Sequence, residues 1–303
     1  MNTPRSGRYR TLTVLMALGV LGTVGVGLWV RRALLVYREE TAELEARVPP
    51  DPLPERDGAL MEIREVSWSH EGERQRGWFI PPRNGALIVY LHGSPGSRAS
   101  LLPEARALAR SGFGGLLLDL PGYGSSEGSR TWGAPYARSI VTAVDFIVRE
   151  PRVDPSRVAL FGYSMGTNVA AGVAAVDPRI RALVLSGAFT RLDEQLRSQF
   201  RGRLPWVEEL AIVAAKRAGL DVGAFDTTAS LRRVGEKPVF LIAGANDSAV
   251  PPAHARQLAA VAANAELWVV SGVGHVGLAE RVGEPYFERL GAFFGRALGP
   301  FEL

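Results

Sequence analysis

Strand-like and helix-like segments alternate from about residue 60 onward, and the alternation predicts an α/β domain with a mostly parallel, eight-stranded sheet covered by helices on both faces. Two further observations agree. The run Ala86–Leu91 is apolar throughout, as central parallel strands buried on both sides are. The chain has 303 residues, 47% hydrophobic and 22% charged, enough for one large α/β domain with an appendage.

The elements follow in order. Met61–Trp68 and Gly77–Ile80 read as a leading antiparallel pair joined by a charged turn. Ala86–Leu91 is the first central strand, Leu101–Ser111 a helix, Gly115–Leu120 a strand and Tyr136–Arg149 a helix. Val158–Phe161 is a short apolar strand running into a turn and a further helix. Strands at Ala182–Leu185, Val239–Ala243 and Leu267–Val270 follow, with Ala253–Ala263 helical between the last two. Pro285–Leu298 closes the domain as a helix whose proline sits in the first turn, where a missing N–H costs nothing.

One stretch, about 189–231, departs from the alternation. It holds helix-like sequence and no strand: Leu192–Phe200, then Pro205–Ala218 with Trp206, Leu210, Val213 and Ala214 on one face. An insertion after a strand lies near the strand carboxyl ends, where open α/β sheets bind ligands, so a small lid is expected. Trp206, Leu210 and Val213 are its candidate substrate contacts. A packing embellishment is the alternative.

Before the domain, Thr11–Val30 is a run of 20 residues without a charge. As a helix it spans about 30 Å, the thickness of the bilayer hydrocarbon. It exceeds the apolar core of a signal peptide and ends in Trp29-Val30-Arg31-Arg32 without a small-x-small cleavage site, which favours an uncleaved anchor over residues 1–32. Arg5, Arg8 and Arg10 on one side match Arg31, Arg32 and Arg38 on the other, so the positive-inside count leaves the orientation open. Residues 33–58 turn acidic and then proline-rich, a stalk and stiff spacer before a domain over 59–303. The net charge of +4, part of it ahead of the domain, gives no reason to expect a nucleic-acid partner. The chain has no cysteine, which excludes disulfides, thiolate metal sites and a cysteine nucleophile.

Gly162-Tyr163-Ser164-Met165-Gly166 lies between the strand Val158–Phe161 and a helix, the context of a nucleophile elbow. The turn exposes the serine hydroxyl, glycines two residues away allow close approach, and the helix N-terminus favours a nearby oxyanion. A second match to the same pattern, Gly124-Ser125-Ser126-Glu127-Gly128, is surrounded by loop residues, so Ser164 rather than Ser126 is the candidate nucleophile.

A serine nucleophile needs a base, an orienting acid and oxyanion donors. Of the four histidines, His70 falls in the hairpin turn, His92 ends a strand and His254 sits within a helix. His275 lies in the loop Ser271–Gly277 just past the last strand, where a base can reach a neighbouring strand end. Asp247, on the turn directly after Val239–Ala243, is the candidate acid, with Asp193 its rival. The chain order Ser164, Asp247, His275 is that of an α/β-hydrolase.

His92-Gly93-x-Pro95-Gly96, Asp119-x-Pro121-Gly122-Tyr123-Gly124-x-Ser126, Gly162-Tyr163-Ser164-Met165-Gly166, Asp247 before Val250-Pro251, and Gly274-His275 together make residues 60–300 resemble the α/β-hydrolases. The resemblance is to membrane-anchored bacterial members of the serine-aminopeptidase and lysophospholipase-like branch. It implies that Ser94 and Met165 supply the oxyanion-hole N–H groups and that the Asp119–Ser126 loop is structural. The elbow independently assigns Met165, which follows the nucleophile. Thr167 stands where relatives often carry glycine, a change expected to tighten packing under the elbow.

The expected chemistry is acyl transfer through Ser164 on a small-molecule or lipid acyl substrate: an ester, thioester or lipid acyl bond. No cofactor or metal is required, since the chain has no H-E-x-x-H motif and too few histidines for a cluster. The sequence leaves open a peptidase or acyltransferase using the same residues, and a binding protein on a hydrolase scaffold.

Overall fold

The computed structural model describes residues 61–130, 134–199, 208–209, 212–213, 216, 222–223 and 226–299. The expected anchor (1–32), the stalk (33–58), Trp206 and Leu210 lie outside them. Among the described residues no helix is long and apolar enough to cross a membrane.

In chain order the elements are β1 (Arg64–His70), β2 (Glu73–Ile80), β3 (Leu87–Leu91), a 3-10 turn (Arg98–Leu101) leading into α1 (Leu102–Arg110), β4 (Gly114–Leu118), α2 (Ala134–Ile147), β5 (Val158–Tyr163), α3 (Met165–Ala174) and β6 (Ile180–Ser186). Then come α4 (Leu192–Gln199), α5 (Thr227–Val234), β7 (Val239–Gly244), α6 (Pro252–Ala259), β8 (Ala265–Val270), α7 (Leu278–Val282) and α8 (Glu284–Leu298). The eight strands form one sheet in the order β1-β2-β4-β3-β5-β6-β7-β8. β2 is antiparallel to both its neighbours, and the remaining pairs are parallel.

The strands alternate side chains between two apolar layers, as a two-residue period requires. Leu87, Val89, Leu160, Leu183 and Leu241 face one layer, beneath α2, α3, α5 and α6. Ile88, Tyr90, Phe161, Val184 and Phe240 face the other, beneath α1 and α8. Both faces are therefore covered, which is why the central strands read as unbroken apolar runs.

The first hairpin is longer than its polar sequence suggests. Only Glu71 and Gly72 form the turn, with φ of 50° and 86°, the positive values a tight two-residue hairpin demands. The ends next to the turn, Ser69–His70 and Glu73–Arg76, are polar and look like loop residues in sequence, and in the sheet Glu73–Arg76 pair with β1 beyond the stretch of β2 that pairs with β4. His70 consequently ends a strand instead of lying in the turn.

After β3 the chain passes to β4 on one side, and β5 returns to β3's other side. This reversal opens a crevice beyond the strand carboxyl ends, where ligands bind in open α/β sheets.

Candidate active site

Ser164 sits at that crevice, between β5 and α3, with φ 49° and ψ −117°. A non-glycine residue at positive φ carries strain of order 1–3 kcal/mol and persists only where the surroundings enforce it. They do so here by crowding. A Cβ at Gly162 would stand 2.5 Å from the Gly166 carbonyl oxygen, and one at Gly166 would collide with the Leu91 carbonyl on β3. The Ser164 N–H donates to Ser186 O at 2.8 Å. Thr167, fully buried, donates to Ser164 O from its amide at 3.0 Å and its hydroxyl at 2.6 Å, the tightening expected under the elbow.

The structure brings Ser164, His275 and Asp247 together. Ser164 Oγ lies 3.0 Å from His275 Nε2, and His275 Nδ1 lies 2.7 Å from Asp247 Oδ2. Asp247 is 4% exposed, and its second oxygen accepts the Val250 N–H at 2.7 Å. With Asp247 ionised, Nδ1 carries the proton and Nε2 is left as the acceptor facing the serine hydroxyl. Each of the three residues comes from a different loop past a strand end: β5, β7 and β8.

Two neighbours that spacing does not reveal hold His275. Tyr163 donates its hydroxyl to the His275 carbonyl at 2.8 Å, and the two rings lie 5.4 Å apart. Burial and the negative charges of Asp247 and Glu104 raise the Tyr163 pKa, so it remains a donor. On the other side a Cβ at Gly187, just past β6, would stand 3.1 Å from His275 Cε1. Tyr163 occurs inside the elbow motif as a spacer, and Gly187 carries no sequence signal at all.

Met165 opens α3, so its N–H has no intrahelical acceptor. Ser94 follows Gly93, where a Cβ would stand 3.1 Å from Ser164 Cβ. The buried Tyr123 links the two: its hydroxyl donates to Ser94 Oγ at 3.0 Å and lies 3.8 Å from Met165 Sδ.

The other candidates are engaged elsewhere. Ser126 is buried; it donates to Asp119 O and accepts the Arg76 N–H, each at 2.9 Å. His92 Nε2 accepts the Leu120 N–H at 3.1 Å while Nδ1 bonds the Gly93 carbonyl, and burial lowers its pKa, so the ring is a neutral brace between β3 and β4. His254 Nδ1 bonds Thr190 Oγ1 at 2.9 Å, and His70 Nδ1 bonds Thr142 Oγ1 at 3.0 Å. Asp193 pairs with Arg191 at 2.9 Å. Val213 is 42% exposed, whereas Ile212 packs with Phe189, Leu192, Val222 and Val250, so the inward face of that segment runs through Ile212.

Residues 86–233 match the model of the α/β hydrolase fold family. An uncharacterized protein of Mycobacterium tuberculosis is 30% identical over 271 residues, covering 87% of this chain and 86% of the relative. A thiohydrolase of Aspergillus aculeatus is 27% identical over 181 residues, covering 56% and 55%. Among solved structures an esterase of Pyrococcus furiosus superposes with a TM-score of 0.65 at 23% identity, covering 79% of this chain and 92% of the esterase. The chain belongs to the α/β-hydrolase superfamily.

Proposed function

We propose that this chain is a serine hydrolase that cleaves a carboxylic ester, thioester or lipid acyl bond through an acyl-enzyme on Ser164. The observation that carries the reading is the unbroken hydrogen-bonded path from Asp247 through His275 to a strained serine at a helix N-terminus. An esterase and a thiohydrolase among the similar proteins support acyl chemistry.

Ser164 Oγ attacks the substrate carbonyl as His275 Nε2 takes its proton. Asp247 stabilises the imidazolium through Nδ1–H. The tetrahedral oxyanion accepts the N–H groups of Met165 and Ser94, each donor worth about 3 kcal/mol in the transition state. His275 then protonates the leaving alkoxide or thiolate. Water, activated by the same histidine, releases the acid and restores Ser164. The backbone strain at Ser164 keeps Oγ aimed at His275 without a reorganisation cost during reaction.

The uncharged run Thr11–Val30 is the proposed uncleaved anchor, which puts the domain beside membrane-derived acyl substrates. Retention of the full chain in membranes through an alkaline carbonate wash checks it, and a mature N-terminus beyond Arg32 overturns it. For the chemistry, a fluorophosphonate is expected to label Ser164. Ser164→Ala should abolish labelling and hydrolysis of an acyl-ester panel, while Ser126→Ala keeps both. Labelling mapped to Ser126, or undiminished turnover in Ser164→Ala, overturns the reading.

A further inference from the structure

The lid segment begins with α4, and α4 is joined to the loop that carries Asp247. Gln195 Nε2 donates to the carbonyl of Ala249. The N–H on the other side of that peptide bond belongs to Val250, and it donates to Asp247 Oδ1 at 2.7 Å. A peptide group is planar and rigid, so fixing its carbonyl fixes the direction of its N–H. A hydrogen bond to the carbonyl also polarises the peptide and strengthens the N–H as a donor. The surroundings hold the same geometry: Val250 is buried against Phe189, Leu192, Ile212 and Val222, with Leu196 packed alongside. Thr190, just ahead of α4, bonds His254 on α6 at 2.9 Å.

We infer that Gln195 is a positioning residue for the Asp247 carboxylate, acting through the Ala249–Val250 peptide group; the inference rests on the hydrolase reading above. The path runs Gln195, peptide 249–250, Asp247, His275, Ser164, and it makes the first lid helix part of the support of the site. The side chain acts through that peptide group and not on the reacting atoms themselves. Its loss lets the peptide rock and the carboxylate turn away from His275 Nδ1.

The test uses the full chain with Gln195→Met and Gln195→Glu, which keep the length and, at neutral pH, remove the donor. Both should lower kcat on a short-chain ester about tenfold with KM within about twofold, because a displaced catalytic group costs the chemical step more than binding. The proton resonance of the His275 Nδ1–H should shift upfield in both. Leu196→Ala, which loosens the same packing without removing the amide, should lower the melting temperature and leave kcat and the resonance in place. Wild-type kcat and an unmoved resonance in Gln195→Met overturn the inference. So does a Leu196→Ala variant that matches it in both readouts. Absence of fluorophosphonate labelling on Ser164 in the wild type would instead overturn the hydrolase reading, while a resonance that still shifts in Gln195→Met would uphold the positioning role.

Discussion

Glu104 is the buried acid from which pH-dependent stability is expected. It lies in the first turn of α1, 6% exposed, with Oε1 accepting the Tyr286 hydroxyl at 3.1 Å and Oε2 without a hydrogen-bond partner among the described residues. Burial pushes its pKa up from 4.5 to about 7; its helix-start amide and Tyr286 pull it down, and Glu280 adds to the rise. Between those two values the folded chain keeps a proton that the unfolded chain has released. Stability from this group is therefore full below pH 4.5, falls as pH rises through about 7, and is flat above. The gap of about 2.5 pH units corresponds to about 3 kcal/mol. Glu104→Gln keeps the shape and removes the titration. The melting-temperature difference between wild type and variant, followed from pH 4.5 to 8.5, should swing toward the variant by roughly 6–10 °C for a domain of this size. Subtracting the two curves removes titrations common to both proteins. Parallel curves across the range would refute a buried, proton-retaining Glu104.

Other outcomes follow from the elbow and the proposed lid at 189–231. Gly166→Ala drives a methyl into the Leu91 carbonyl and should cost at least about 1–3 kcal/mol, read as poor solubility or loss of fluorophosphonate labelling; a well-folded, labelled protein would contradict the close approach. Ser164→Gly removes a side chain held at positive φ, so it should raise stability by about 1 kcal/mol in urea unfolding while ending hydrolysis. On the proposal that Trp206 is an acyl contact, Trp206→Ala should reduce hydrolysis of long acyl esters more than of acetyl esters, since such a contact matters only to a substrate that reaches it. Equal losses on both would leave the segment as packing.

Local signals reached far in this chain. Apolar runs and their alternation with amphipathic segments predict a parallel sheet with helices on both faces, because burial on two sides imposes that pattern on each strand separately. The elbow was legible for the same reason: Gly162 and Gly166 are required by contacts within a few ångströms of Ser164. Position past a strand end singled out His275 and Asp247, since strand order along the chain already says which loops reach the crevice. Other features arise only when distant segments meet. Ser69–His70 and Glu73–Arg76 look like a turn because nothing in their own polar residues records that the two stretches pair with each other. Val213 and Ile212 are adjacent in sequence and face opposite environments, a choice made by what packs on the segment. Tyr163 at the His275 carbonyl enters the elbow motif only as a spacer, and Gly187 beneath the His275 ring and Gln195 behind the Asp247 loop carry no motif. Each depends on a side chain meeting a backbone group far away in sequence, and such contacts constrain geometry without imposing a periodicity that the sequence displays.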